Sequence, residues 1–270
     1  MLTLGVITDL HIGPRALHEG KLRKLSDQAG ALASAFVERM RSEIRPQLVV
    51  NLGDVVQDEA PEVDRTRYEH GLALLRKADA ELVNVAGNHD QLHLDVATVR
   101  RAWQLPGEGP LHYSFDREGC HFVVLYTHER VDQDVRLGDE QLRWLDADLA
   151  GNELPCVVLM HHPAAEQDLR GNYWFEGRDH VCLVADRRQL RELLQADGRT
   201  FLVLNGHAHW NHLAVIGGIP YITFQSPIEN IEEDEPGVAA ATHGVVRIDD
   251  RWTTVEVAGR QPARYQLERR

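Results

Sequence analysis

Leu82-Val83-Asn84-Val85-Ala86-Gly87-Asn88-His89-Asp90 is the stretch around which the rest of the chain is organised. A short apolar run of strand length passes into a glycine, then presents an amide, an imidazole and a carboxylate in a row. Gly87 has no Cβ, so the backbone can turn sharply there and approach a ligand closely. Asn88 offers a neutral carbonyl oxygen, His89 a proton near neutral pH, and Asp90 an acceptor that could orient the imidazole. The same pattern, a buried strand ending in a polar loop, recurs four times. Leu2 to Thr8 ends in Asp9-Leu10-His11, and Leu48 to Leu52 in Gly53-Asp54. Cys156 to Met160 ends in His161-His162-Pro163, and Phe201 to Leu204 in Asn205-Gly206-His207-Ala208-His209. Nearly continuous apolar runs of this kind belong to strands covered on both faces.

Between the strands the apolar period changes. From about Lys21 to Arg45, Leu22, Leu25, Leu32, Phe36, Met40 and Ile44 fall at helical spacing, and Pro46 ends the run. A second helix is predicted from Asp64 to Ala80 with Tyr68, Leu72 and Leu75 inward. Strand, helix, strand, helix, strand with short links is the sequence form of parallel βαβ units. Beyond Asp90 come a short helix at Asp95 to Trp103 and a hairpin of Leu111–Phe115 with His121–Thr127. Helices follow at Leu137 to Leu149 and Asp186 to Ala196. Two further hairpins pair His212–Ile216 with Ile219–Phe224 and Val245–Ile248 with Thr253–Val257. Ala164 to His180 has no clear period and is predicted to be a long loop carrying Asn172-Tyr173-Trp174-Phe175. Glu229 to Glu235 is predicted to be a solvated acidic loop, and the tail after Gly259 to be mobile. With no internal repeat and no linker-like segment, residues 1–270 are expected to form one domain. The first half is expected to supply a mixed sheet and the second half a mostly antiparallel one. Helices outside both give an α/β two-sheet sandwich in four layers, α/β/β/α.

A formal net charge of -13 over 270 residues argues against a general nucleic-acid or anionic-membrane surface, since both need clustered Lys and Arg. Cations bound among the acids would invert that field locally. Cys120, Cys156 and Cys182 are odd in number, widely spaced and in or beside apolar runs, which predicts buried free thiols in a reducing compartment. No apolar run approaches the roughly 18 residues of a membrane helix. The first strand begins at Leu2, ahead of any charged n-region and apolar h-region, so no signal peptide is expected. A cytoplasmic location is expected.

In α/β sheets the carboxyl ends of parallel strands share a rim where ligands bind. Five loops on that rim would deliver Asp9, His11, Asp54, Asn88, His161, His207 and His209. If extended geometry persists past the strands, Asp9 and His11 point the same way, as do His207 and His209. Taken singly, each piece has a plainer reading as a turn, a cap or a surface feature; the recurrence at five strand ends carries the inference. Mixed nitrogen and oxygen donors suit Zn, Mn or Fe better than Ca or Mg alone. Seven donors exceed a closed tetrahedral site and suffice for two cations sharing one carboxylate.

The ordered set Asp9-x-His11, Gly53-Asp54, Gly87-Asn88-His89-Asp90, His161 and Gly206-His207-x-His209 resembles the calcineurin-like metallophosphoesterases. Its members closest in pattern are the bacterial cyclic-nucleotide and glycerophosphodiester phosphodiesterases. The resemblance implies one divalent or trivalent ion (Mn, Fe or Zn) on Asp9, His11, Asp54 and His209. It implies a second on Asp54, Asn88, His161 and His207, with Asp54 bridging, and it implies the same four-layer fold. The chain departs from the family pattern after Asp54, where Val55-Val56-Gln57-Asp58-Glu59-Ala60-Pro61 lacks the glycine often found there. Two ions about 3.5–4 Å apart lower the pKa of a bound water and clamp attacking and leaving oxygens, so a hydroxide carried by the ions is expected to attack phosphorus. His89 would stabilise the transition state or protonate the leaving oxygen, with Asp90 holding its tautomer; Asp90 reads equally as a loop-capping carboxylate. The expected activity is hydrolysis of a small phosphodiester of the cyclic-nucleotide or glycerophosphodiester type. The alternatives are a phosphomonoesterase or nucleotide pyrophosphohydrolase on the same site and, behind these, a nuclease or an inactive scaffold. Substrate selection is assigned to Arg15 and His18, to His93, and to Asn172–His180 with Trp174. Arg15, Arg170 and Arg178 could supply the extra charge that a monoester dianion requires. The expected partner is a small phosphate ester rather than a membrane or nucleic acid; homo-oligomer formation is compatible with the sequence.

Overall fold

Alternate residues of strand β1 (Leu2–Ile7) face different layers. Leu2, Leu4 and Val6 belong to one buried cluster and Ile7 to another. A Cβ on the intervening Gly5 would lie 2.4 Å from Met40 Sδ, so the helical layer rests directly on that backbone. This is the period-two signature of a strand covered on both faces. The protein is described by a computed structural model that covers residues 1–129, 134–232 and 235–269.

A small hairpin of β2 (Ala16–His18) and β3 (Lys21–Lys24) follows β1. Then come helix α1 (Ala29–Arg39), continued by a wider turn over Met40–Ile44, β4 (Leu48–Asn51), α2 (Pro61–Leu75) and β5 (Glu81–Asn84). Helices α3 (Asn88–Leu92) and α4 (Val96–Trp103) lead to the hairpin of β6 (Tyr113–Arg117) and β7 (Cys120–Val124). The order continues with α5 (Asp139–Ala150), β8 (Cys156–Leu159), α6 (Asp179–Cys182), α7 (Arg187–Asp197) and β9 (Thr200–Asn205). It ends with β10 (His212–Ile216), β11 (Ile219–Thr223), β12 (His243–Ile248), β13 (Trp252–Ala258) and β14 (Ala263–Glu268).

One sheet has the order β14-β13-β12-β1-β4-β5 and the other β10-β11-β9-β8-β7-β6. Their facing sides share one apolar cluster, including Leu4, Val50, Val83, Phe122, Val157, Leu204 and Val246. Phe36 and Leu75 cover the outside of the first sheet, and Leu145, Leu149, Leu190 and Leu194 the outside of the second. The four-layer α/β/β/α sandwich expected from the sequence is therefore the observed fold.

Several sequence expectations are corrected. The first helix does not begin near Lys21: Lys21–Lys24 is strand, paired with Ala16–His18 across Glu19 and Gly20, whose φ values are +51° and +76°. Two left-handed residues in succession favour a tight hairpin, and Leu22 and Leu25 match helical spacing by accident. The second sheet is not mostly antiparallel, since β7, β8, β9 and β11 run parallel and only its outer pairs, β6 with β7 and β10 with β11, reverse. The antiparallel strands β12–β14 join the first sheet through β1 instead. The segment after Gly259 is an edge strand, with Ala263, Tyr265 and Leu267 packed against the core. Arg264, Gln266 and Glu268 between them made it look like a polar tail. Of the stretch expected to be a solvated acidic loop, Glu229 and Asn230 are buried, and Glu233 and Asp234 lie outside the described residues. Cys120, Cys156 and Cys182 are buried free thiols. Among the described residues no helix is long and apolar enough to cross a membrane.

Candidate metal centre

The parallel strands β1, β4 and β5 of one sheet and β8 and β9 of the other end at a common place. Backbone hydrogen bonds tie the emerging loops together: Asp9 N–H to Gly53 O at 2.8 Å, His11 N–H to Asp54 O at 2.9 Å, and Gly206 N–H to His161 O at 3.0 Å. The loops do not stay extended, contrary to the expectation from strand geometry. Asp9, His11, Asp54, His207 and His209 all have left-handed backbone, with φ between +43° and +65°. Non-glycine residues rarely adopt this region, and such conformations gather where surrounding structure enforces a functional geometry. Gly87 is ordinary in φ at -91°. Its value is space: a Cβ there would lie 2.1 Å from Asp54 Oδ1.

The seven predicted donors converge. Asp54 Oδ2 lies 3.6 Å from His11 Nε2 and 3.3 Å from His161 Nε2. His11 Nε2 is 3.2 Å from His209 Nε2, and His209 Nε2 is 3.5 Å from Asp9 Oδ1. On the other side, His161 Nε2 is 3.2 Å from both Asn88 Oδ1 and His207 Nδ1. Separations of about 3.0–3.5 Å are the edges of a coordination polyhedron whose bonds are about 2.0–2.2 Å. Two overlapping groups result, with Asp54 common to both. Asp9 is completely buried, its Oδ2 accepts from Thr8 Oγ1 at 2.5 Å and from His207 N–H at 3.0 Å, and its Oδ1 has no hydrogen-bond partner. An orphaned buried carboxylate oxygen facing imidazole nitrogens fits a cation.

Partners outside the cluster set which ring nitrogen each histidine presents. His161 Nδ1–H donates to Leu52 O at 2.8 Å, and His209 Nδ1–H to Glu229 Oε2 at 2.7 Å, so both turn Nε2 inward. His207 is reversed: Nε2–H donates to Val181 O at 3.0 Å and Nδ1 faces the cluster. These outer hydrogen bonds fix tautomer and ring orientation. His162, the neighbour of His161 in the chain, has Thr127 Oγ1 2.6 Å from Nδ1 and Glu129 Oε2 3.3 Å from Nε2.

The electrostatics call for positive charge among the carboxylates. Burial disfavours ionising Asp54, yet His161, His89 and His11 outweigh it and hold the carboxyl well below its usual range. Burial likewise opposes charge on His161, but Asp54 and Asp9 push it up to about 10. His11 and His207 are driven well below the ordinary imidazole range, chiefly by burial. Neutral imidazoles beside ionised carboxylates are the donors that a metal site needs.

Asp90 does not orient His89. Its oxygens accept backbone N–H groups from Val55 at 2.8 Å, Asp54 at 2.9 Å and Gly87 at 3.0 Å, which fastens the Asp54 loop to the Gly87 turn. Two loops with converging donors need such a clasp, and this is the capping role the sequence left open. His89 Nδ1 is held by Asp58 instead.

A cavity of about 340 Å³ opens over the donors, lined also by His18, Lys24, Gln57, Glu129, Trp174 and Arg178. His18 and Trp174 rings meet at 4.7 Å, and Trp174 Nε1–H donates to Glu229. Arg15 and Arg170 are spent on Asp27 and Asp168 near the surface, and His93 on Asp64. A larger cleft of about 520 Å³, beside Tyr126 and Gln141, lies away from the donors. Three residues of the site escaped the sequence reading. Asp58 carried no motif, Lys24 sat inside an apparent helix, and Glu229 lay in an acidic run that looked solvated. The one available signal was the break between apolar Ile228 and that run.

Residues 2–211 match the family described as calcineurin-like phosphoesterase. The chain belongs to the calcineurin-like phosphoesterase family. It is a metal-dependent phosphoester hydrolase. This phosphoesterase is 26% identical over 249 residues to the probable cyclic nucleotide phosphodiesterase of Synechococcus sp., covering 88% of the chain and 85% of the relative. It is 29% identical over 216 residues to the cAMP/cGMP dual specificity phosphodiesterase of Mycobacterium tuberculosis, covering 78% of the chain and 64% of that relative. The fold is shared with a dimetal phosphatase from Danio rerio at a TM-score of 0.78 and 16% identity, covering 100% of this chain and 99% of that one.

Proposed function

We propose that this phosphoesterase hydrolyses a small phosphodiester of the cyclic-nucleotide or glycerophosphodiester type at a centre of two metal ions. Asp9, His11, Asp54 and His209 would hold one ion, and Asp54, Asn88, His161 and His207 the other. The observation that carries the assignment is the pair of donor groups meeting at Asp54, with the unpartnered Asp9 Oδ1 turned toward His209 and His11. Manganese, iron and zinc all suit the donor set. When bound, such ions lower the pKa of water and neutralise charge at phosphorus.

The chain's own residues supply the rest. Asp58 holds Nδ1–H of His89, which leaves Nε2 for the cavity, where it is placed to pass a proton to the leaving oxygen. Asp90 keeps the Asp54 loop in register with Gly87 through backbone amides. Glu229 orients His209 and is itself held by Trp174. The His18 and Trp174 rings offer an apolar wall for the organic part of the substrate. The similarity to relatives named as cyclic nucleotide phosphodiesterases supports the diester preference, and the net charge of -13 favours a small ester over a nucleic acid. The buried free thiols support a reducing, cytoplasmic setting.

The test is elemental analysis combined with a screen of cyclic nucleotides, glycerophosphodiesters, nucleotides and sugar phosphates in the presence of manganese. Asn88→Ala or His207→Ala should lose one of two ions preferentially, with diester activity falling. Retention of both ions and full activity in either variant would refute the assignment.

A further inference from the structure

One charge in the cavity has no part in the reaction as described. Lys24, at the end of β3, is only 5% exposed. Its Nζ donates to the neutral Gln57 Oε1 at 3.2 Å and lies 3.3 Å from each ring nitrogen of His11, and 5.0 Å from the Trp174 ring centroid. Among the described residues, none of these close neighbours is a carboxylate; Asp54, Glu229, Asp9 and Asp58 act on the ammonium only from longer range. A point equidistant from both imidazole nitrogens lies on neither lone-pair axis, so Lys24 leaves His11 Nε2 to the donor cluster. Lysine is seldom buried without an anionic partner in contact, because removing an ammonium from water is costly. Here the buried ammonium lines the same cavity as Asp54, Asn88 and His89, and a contacting anion is what its surroundings lack. Of the three arginines named for this role, Arg15 and Arg170 are engaged with Asp27 and Asp168 outside the cavity, and Arg178 lines the cavity but is exposed to solvent, whereas Lys24 is buried.

We propose that Lys24 is a phosphate-binding, specificity-determining residue that takes up the additional negative charge of a phosphomonoester dianion, so that one centre holds such dianions as well as diester monoanions. The inference rests on the hydrolase reading above. A diester carries one negative charge at phosphorus, and a monoester close to two above its second pKa of about 6. In either hydrolysis a bond forms between water oxygen and phosphorus, the bond to the leaving oxygen breaks, and a proton passes to that oxygen. Lys24 changes only how strongly the charged phosphoryl group is held. Because a diester yields a monoester, the same ammonium would retain product.

The experiment compares the manganese-loaded wild type with Lys24→Met and Lys24→Arg. It uses p-nitrophenyl phosphate, bis(p-nitrophenyl) phosphate, calorimetric titration with inorganic phosphate, and elemental analysis. Lys24→Met should lose about tenfold or more in monoester kcat/KM relative to diester, chiefly through KM, and weaken phosphate binding similarly, the size expected for one charge-assisted hydrogen bond. Lys24→Arg should restore most of it, and ion content should stay constant. Equal losses on both esters, unchanged phosphate affinity, or loss of an ion would overturn the proposal. A wild type that cleaves neither ester would sink the hydrolase reading instead, while the phosphate titration would still judge Lys24.

Discussion

Replacing Asp58 by Asn tests which acid governs His89. The wild-type pair joins a carboxylate to the Nδ1–H of His89, and that hydrogen bond is the main cause holding the Asp58 carboxyl below its usual range against partial burial. In the Asp58→Asn variant the amide oxygen would still accept from Nδ1–H but without charge. A hydrogen bond to a charged group contributes about 1.5–3 kcal/mol and a neutral one about 0.5–1.5, so the substitution removes about 1–1.5 kcal/mol of orientation and charge stabilisation. At about 1.4 kcal/mol per factor of ten, kcat on a diester with an alkoxide leaving group should fall about tenfold. A p-nitrophenolate leaving group needs no proton, so the same variant should lose much less on bis(p-nitrophenyl) phosphate. The depressed carboxyl also sets the sign with pH. Its stabilisation is present above the ordinary Asp range and lost as pH falls through the lower folded value, so wild type and variant should converge toward acid. The assay is steady-state kinetics on both substrates with ion content checked in parallel. Equal losses on the two substrates, or no loss on the alkyl ester, would refute the proton-donor role of His89.

Glu229→Gln should weaken ion binding about 10–100-fold, as outer partners of ligating histidines generally do; competition against a chelating dye measures it, and unchanged affinity would mean that Glu229 is merely packed there. Gly87→Ala places a Cβ 2.1 Å from Asp54 Oδ1 and 2.4 Å from Asp54 N. Overpacking of this kind costs about 1–3 kcal/mol, so calorimetry should show a lower Tm, and displacement of Asp54 should show as reduced ion content. Chelation should abolish diester hydrolysis, and manganese should restore it. In the chelated protein the His161 charge, raised to about 10 by Asp54 and Asp9 against burial, adds stability that is full below about 6.5 and lost as pH rises toward 10. Tm should therefore fall across that window, and ions, which replace the proton, should flatten the curve.

Much of the site is legible along the chain because each donor sits just past an apolar strand. Strand ends are local features: a run such as Leu48–Asn51 buries both faces, stops near a glycine, and leaves the next polar side chain at the rim. Parallel strands then bring five such ends together. The seven candidate donors can be picked out this way without knowledge of any distance. What the pattern could not provide was the choice among residues of equal local standing. Asp58 and Asp90 are both acids near the motif, and only the folded chain shows Asp90 clasping the backbone of the Asp54 loop while Asp58 takes the imidazole.

The sequence by itself determined the layers and the polar residues that follow each strand end, the candidate donors among them, because period, strand length and turn residues are properties of neighbours. Only the tertiary structure decided which sheet receives β12–β14, that the last strand is paired, and that Lys24 and Glu229 face the site. Glu229 reaches His209 across 20 positions, and Lys24 reaches Gln57 across 33. In such pairs the charge of a side chain is local information, but its burial and its partner are set by chain closure elsewhere.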